Sequence, residues 1–191
     1  IAATLIAAKS GKKILLVDEK PEFGKNLLSS SKENIKINDL SPAEWIKVKR
    51  KELLNFKNIK TLNRTTVSAY HNYNYLIMMQ SLTDHLSENE KKGKIRQRLW
   101  KVRAKKVILA TGSIERPLVF DGNDRPGIML SSAVKKYLNF YGVKCGNKII
   151  IFTNNDSAYE TAIELHNKNL KVQAIVDIRE ESSGDLPKKC N

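Results

Sequence analysis

The sequence predicts an α/β chain: a three-layer domain interrupted by an antiparallel meander, then part of a second α/β unit. Three observations carry this. An apolar helix, a glycine and a strand ending in acids open the chain, and a strand–helix–strand series ending in an acid recurs near residue 177. Between them lie three β-branched or alternating stretches joined by polar turns. Val107, Ile108, Leu109 and Ala110 then form a short apolar run that stops at Thr111-Gly112, the pattern of a strand buried on both faces.

Each element has its own warrant. Residues 1–10 place Ala, Leu and Ile at helical spacing, and Gly11 ends the helix. Lys13–Asp18, KILLVD, is a buried-type strand. Pro21–Leu28 is a turn pivoting on Gly24, and residues 29–40 are polar enough for an exposed loop. Ser41-Pro42-Ala43-Glu44 is a helix start, with Ser as N-cap, Pro at the first position and Glu three residues on. That helix should reach about Asn55, with Trp45, Val48, Leu53 and Phe56 in the core. Ile59–Tyr70 is a strand pair or one bent strand. Tyr73–Leu82 and Gln97–Ala104 continue the meander around a hairpin loop at residues 87–94. His71 and Tyr73, in YHNYNY, read as the exposed end of a meander strand. Pro and Gly punctuate a linker over Glu115–Gly127. Helix Ser131–Tyr141, loop Gly142–Gly146, buried strand Lys148–Phe152, helix Asp156–Asn169 and strand Lys171–Asp177 follow. The first domain is expected over 1–115 and a partial second one over 116–191.

Helix, glycine, strand and acids make the second half of a dinucleotide-binding βαβ unit, in which the strand-end acid accepts hydrogen bonds from ribose hydroxyls. Asp18 and Glu19 occupy that position, and a carboxylate there favours a free 2′-hydroxyl over a 2′-phosphate. The alternative for the pair is a solvated strand end. The glycine-rich phosphate turn of such a unit would lie just before Ile1, so the chain reads as an internal fragment. At Thr111-Gly112, glycine lets the backbone come close to a ligand; the alternative is any buried strand ending in a turn. The corresponding turn of the second unit, Thr153-Asn154-Asn155-Asp156-Ser157-Ala158, holds no glycine. Asp156 would set a negative charge where a pyrophosphate binds, and it reads as a helix N-cap. The second unit therefore keeps the shape and has lost ordinary dinucleotide binding.

Composition excludes several classes. The formal net charge is +14, but the lysines are scattered, with no basic stripe interleaved with aromatics, so nucleic acid is not an expected partner. The absence of an apolar run of about 18 residues leaves no membrane span. Cys145 and Cys190 lie far apart without a CxxC pair, which disfavours a redox disulfide or zinc site and fits a reducing cytoplasm. His71, His85 and His166 fall on different elements, no Ser-His-Asp set is evident, and no residue reads as catalytic. Glu115 and Arg116 are expected in a structural salt bridge or against the linker.

The buried strand ending in Ala-Thr-Gly after an alternating meander resembles the strand closing the first domain of the two-dinucleotide flavoproteins. RQRLWKVRAKKVILATGSIERPLVFDGNDRPGIMLSSAVKKYLNFYGV and FTNNDSAYETA, with VDEKPEFG and TTVSAYHNYNY, resemble the alpha subunit of heterotetrameric sarcosine oxidase over nearly the whole chain. That resemblance implies a Rossmann-like fold of the FAD/NAD(P)-binding type, with a β-meander insertion and part of a second Rossmann-like unit. It implies oxidative demethylation of sarcosine to glycine with hydrogen peroxide formed, the methyl carbon leaving as formaldehyde or on tetrahydrofolate. It implies NAD in the first site of this chain, and FAD, FMN and tetrahydrofolate in a cytoplasmic complex with beta, gamma and delta subunits. The amine-oxidising centre would lie in the beta subunit. By position, Asp18 and Glu19 look like the ribose acids, Val67 like the adenine neighbour, and Thr111 and Gly112 like the closing turn. Without the resemblance Val67 would be an ordinary core valine. Ile114 stands where the family often has His, and Asn26 where relatives can place a basic cofactor contact; neither role is carried over. Spacing alone leaves NAD and FAD open in the first site. The alternatives are an FAD-dependent NAD(P)H reductase of the pyridine nucleotide-disulfide type and a nonenzymatic scaffold.

Overall fold

The computed structural model describes residues 1–29, 36–181 and 184–190, so most of the loop expected at 29–40 lies outside the described residues. The chain divides into two units. One holds Ile1–Lys25 and Lys36–Thr111; the other holds Gly112 onward with residues 26–29.

In the first unit, helix α1 (Ala2–Ala8) leads into strand β1 (Ile14–Val17). Helix α2 (Pro42–Leu54) then leads into strand β2 (Ile59–Leu62), which pairs with β1 in parallel, Ile14 opposite Ile59 and Val17 opposite Leu62. The start of α2 is the expected capping box: the Ser41 hydroxyl accepts from the Glu44 N–H, and the Glu44 carboxylate accepts from the Ser41 N–H. Asn58 ties the two halves of this βα arrangement by donating to the Ala8 and Lys12 carbonyls at 2.9 and 2.8 Å. Leu53 is buried as expected, but Val48 is 47% exposed: it falls off the buried stripe defined by Ile46 and Leu53.

The stretch from Ile59 resolves into two strands in two sheets. After β2, Asn63 and Arg64 turn the chain, and β3 (Thr65–His71), β4 (Tyr75–Ser81) and β5 (Gln97–Arg103) form an antiparallel meander in the order β3-β4-β5. The β3–β4 turn contains Tyr73 with a left-handed φ of 61° and 84% exposure, in keeping with the exposed strand end expected for YHNYNY. The expected hairpin loop carries a short helix of its own, α3 (Glu88–Lys91), closed by a Ser87–Glu90 capping box. Leu76 and Met78 of the meander pack on Leu62, with Leu15, Val17, Trp100 and Val102 around them, so one face of the parallel pair is covered.

The expected strand Val107–Ala110 does not form. Those residues pair with no strand among the described residues, and Ile108 and Leu109 are 68% and 70% exposed. A strand exists only through its pairing, and β1 and β2 pair here with each other alone. The apolar composition of the run is real, and Val107 still packs against the meander core.

In the second unit, helix α4 (Ser131–Tyr141), strand β6 (Ile149–Thr153), helix α5 (Ser157–Asn167) and strand β7 (Val172–Asp177) follow the predicted order, with β6 and β7 parallel. Their core is Ile151, Ala158, Ala162 and Leu165, with Val134 and Leu138 of α4 against it. β6 is buried on this face only; Ile150 is 65% exposed on the other. A short helix, α6 (Asp185–Lys189), follows where no closing element was expected.

Candidate functional site

The first-unit site is built where β1 ends. Asp18 directly follows the strand, and its carboxylate turns back to accept from the Lys20 N–H at 2.9 Å, an Asx turn that bends the chain off the sheet. Glu19 points outward, its side chain 60% exposed, with the Lys20 ammonium 2.6 Å from one oxygen. The two predicted acids thus play different parts: Asp18 shapes the turn and Glu19 presents the carboxylate.

The backbone brings Val67 to the same end of the unit. The Asp18 N–H donates to the Leu62 carbonyl at 3.0 Å, the Thr65 N–H to the Asp18 carbonyl at 2.9 Å, and the Arg64 N–H to the Lys20 carbonyl at 3.0 Å. The residues after β1 are therefore laced to the first residues of β3, two positions before Val67. Val67 pairs with Met78 across the meander, just before a bulge at Ser68. Cross-strand partners share a face of a sheet, but Val67 lies on an edge strand and is 44% exposed, whereas Met78 is 1% exposed. An ordinary core valine would be covered; this one is not.

Thr111 and Gly112 are exposed, and Gly112 adopts a left-handed φ of 73° with open space where a Cβ would stand. A hollow of about 570 Å³ lies at the β4–β5 hairpin, lined by Thr83, Asp84, Lys91, Lys94 and Arg96, where the Arg96 guanidinium holds the Asp84 carboxyl below its usual range.

The matching end of the second unit is filled by its own side chains. Asp156 stands at the N-cap position of α5, as expected, but its carboxylate makes no cap bond; Asn155 supplies it, its Oδ1 accepting from the Ser157 N–H at 3.0 Å. The Asp156 carboxylate turns to Arg179 Nη2 at 2.7 Å, and the same nitrogen lies 2.6 Å from Asp177 Oδ2 at the end of β7. Arg179 Nε and the Tyr159 hydroxyl also donate to Asp177, at 3.0 Å each. These bonds, Arg179 first, hold the Asp177 carboxyl far below its usual range. A guanidinium thus spans the gap between the strand-end acid and the helix start. Sequence reading missed this because Arg179 follows the strand by two residues and carries no motif.

Glu115 also departs from expectation. It forms no salt bridge with Arg116; its carboxylate accepts from the Ser131 and Ser132 N–H groups at 3.2 and 2.7 Å, capping α4, whose own N-cap residue Leu130 has no acceptor side chain. Cys145 and Cys190 are free thiols, and among the described residues no group of three metal-ligating side chains converges and no helix is long and apolar enough to cross a membrane.

Among known proteins, the chain is 42% identical over 183 residues to the sarcosine oxidase alpha subunit of Corynebacterium sp. strain U-96, covering 96% of this chain and 19% of that protein. It is 38% identical to the Rhizobium meliloti (strain 1021) alpha subunit, over 97% of this chain and 18% of that one. Over these residues the chain belongs to the sarcosine oxidase alpha-subunit family. It spans about a fifth of the length of these relatives. No protein-family model matches it. Among solved structures, L-proline dehydrogenase from P. horikoshii superposes with a TM-score of 0.65 at 19% identity, over 95% of this chain and 34% of that one, a likeness of fold.

Proposed function

We propose that residues 1–191 are the nucleotide-holding part of an oxidoreductase, the alpha subunit of a sarcosine oxidase, and that the first unit binds the adenosine half of NAD. The observation that carries this is the lacing of the β1 end to the start of β3, which sets an exposed carboxylate and an exposed apolar side chain at one end of one unit. The donor set fits the group: Glu19 accepts from ribose hydroxyls, Val67 offers an apolar contact and edge backbone to the adenine, and Asp18 keeps the turn that aims Glu19. Thr111 and Gly112 form the closing turn on the family resemblance alone. The second unit holds no nucleotide, since Arg179 already satisfies both carboxylates that a ligand would have to displace. The relatives' name, sarcosine oxidase subunit alpha, supports an oxidoreductase that works as one subunit of a complex; on the family resemblance alone, sarcosine is demethylated to glycine with peroxide formed, in a cytoplasmic complex with beta, gamma and delta subunits that also carries FAD, FMN and tetrahydrofolate. NAD, when bound, carries a redox-active nicotinamide ring, but the reading is of a resident dinucleotide that does not turn over.

The test is the purified full-length protein. About one NAD per alpha subunit is expected, and Glu19→Ala should weaken its binding by about 1–3 kcal/mol, the loss of charge-assisted hydrogen bonds. Isothermal titration reads this directly. Wild-type affinity in the Glu19 variant, or protein free of NAD, would refute the assignment.

A further inference from the structure

The loop that follows the acids, Lys20–Gly24, is anchored at every residue. The Lys20 carbonyl accepts from the Arg64 N–H at 3.0 Å, and the Pro21 carbonyl from Asn63 Nδ2 at 2.7 Å. Arg50, projecting from α2, does the rest: Nη1 donates to the Glu22 carboxylate at 2.8 Å, Nε to the Phe23 carbonyl at 2.8 Å, and Nη2 to that same carbonyl. Gly24 has a left-handed φ of 80° and sits so close to α2 that a Cβ would come within 3.3 Å of Ile46. One guanidinium from 27 residues away thus grips two consecutive loop residues. Core packing alone does not ask for this: Phe23 is buried by its ring, yet Arg50 binds its backbone oxygen.

We propose that Arg50 is a positioning residue: it freezes the loop behind Glu19 so that the ribose carboxylate is held ready for its ligand. This rests on the nucleotide reading of the first unit. The physical ground is preorganisation. A loop ordered before binding spares the ligand the cost of ordering it, and a planar fork that meets one carbonyl with two N–H groups fixes direction as well as distance. An ammonium cannot reproduce that fork.

The experiment uses the full-length protein stripped of NAD, with Arg50→Ala, Arg50→Lys, Glu22→Ala and Glu19→Ala. NAD affinity is read by isothermal titration, and amide exchange is read over residues 19–24. Arg50→Ala should weaken NAD about tenfold, the loss of roughly one charge-assisted contact's worth of ordering. Arg50→Lys should recover only part of that, and Glu22→Ala, which leaves the Phe23 fork intact, should stay within about twofold of wild type. Exchange at residues 19–24 should quicken in the same order. Faster exchange in Arg50→Ala with NAD affinity unchanged overturns the positioning role and leaves Arg50 a structural clamp. Should Arg50→Ala fail to fold, Arg50→Lys carries the test, with about a threefold loss expected and none overturning the claim. Weakened binding in Glu19→Ala beside unchanged binding in the Arg50 variants defeats this inference alone. Unchanged binding in Glu19→Ala defeats the nucleotide reading and the inference with it.

Discussion

Met78→Ala is the sharpest test of how the meander builds the candidate site. Met78 is 1% exposed, touches Leu62 and Leu76 in the core, and stands opposite Val67 on one side and Trp100 on the other. Truncation removes three heavy groups beyond the Cβ; at about 0.8 kcal/mol each the transfer loss is about 2.4 kcal/mol. The cavity left behind raises this to about 3–4 kcal/mol. With a urea m-value of about 1.5–2 kcal/mol per molar, the midpoint of the first unit should fall by about 2 M. The assay is intrinsic fluorescence of the 191-residue chain, because both of its tryptophans, Trp45 and Trp100, lie in that unit. Leu165→Ala is the control: Leu165 is 2% exposed in the core of the other unit and should leave the fluorescence transition in place. A Met78→Ala shift worth less than about 1 kcal/mol would mean that the meander does not seal the parallel pair, and the argument that it holds Val67 beside the acids would fail.

Two further outcomes concern the second unit. Glu115→Ala should cost about 1 kcal/mol, the usual worth of a helix cap, and should speed amide exchange in Ser131–Tyr141, with no change at α5. Arg179→Met should alter the pH dependence of stability. In the wild type the native Asp177 carboxyl titrates below its unfolded value, so its contribution is full above about pH 4–5 and is lost as pH falls toward the depressed native value. Without the guanidinium, Asp156 and Asp177 lack their shared cation, so stability at neutral pH should drop and the loss on acidification should shrink or reverse. Circular-dichroism melts from pH 3 to 7 read this, and a wild-type pH profile in the variant would show that Arg179 does not couple the two carboxylates.

Much of this was legible in the residues themselves, because it rests on local rules. The Ser41–Glu44 box, the helix over Ser131–Tyr141, the β6–α5–β7 series and the acids closing β1 are set by spacings of a few residues, and the structure matches those readings. Where the readings failed, the deciding partner lay far along the chain. Val107–Ala110 has a strand's composition, but a strand is a pairing, and these residues pair with no strand among the described residues. Asp156 has an N-cap's position, but Arg179, 23 residues on, draws its carboxylate away. Glu115 caps a helix that starts 16 residues later, and Arg50 reaches back 27 residues to Phe23. Short-range order follows from the backbone and nearest side chains. Which charged group meets which, and whether a valine in a strand is covered or open, follows only from how the elements pack.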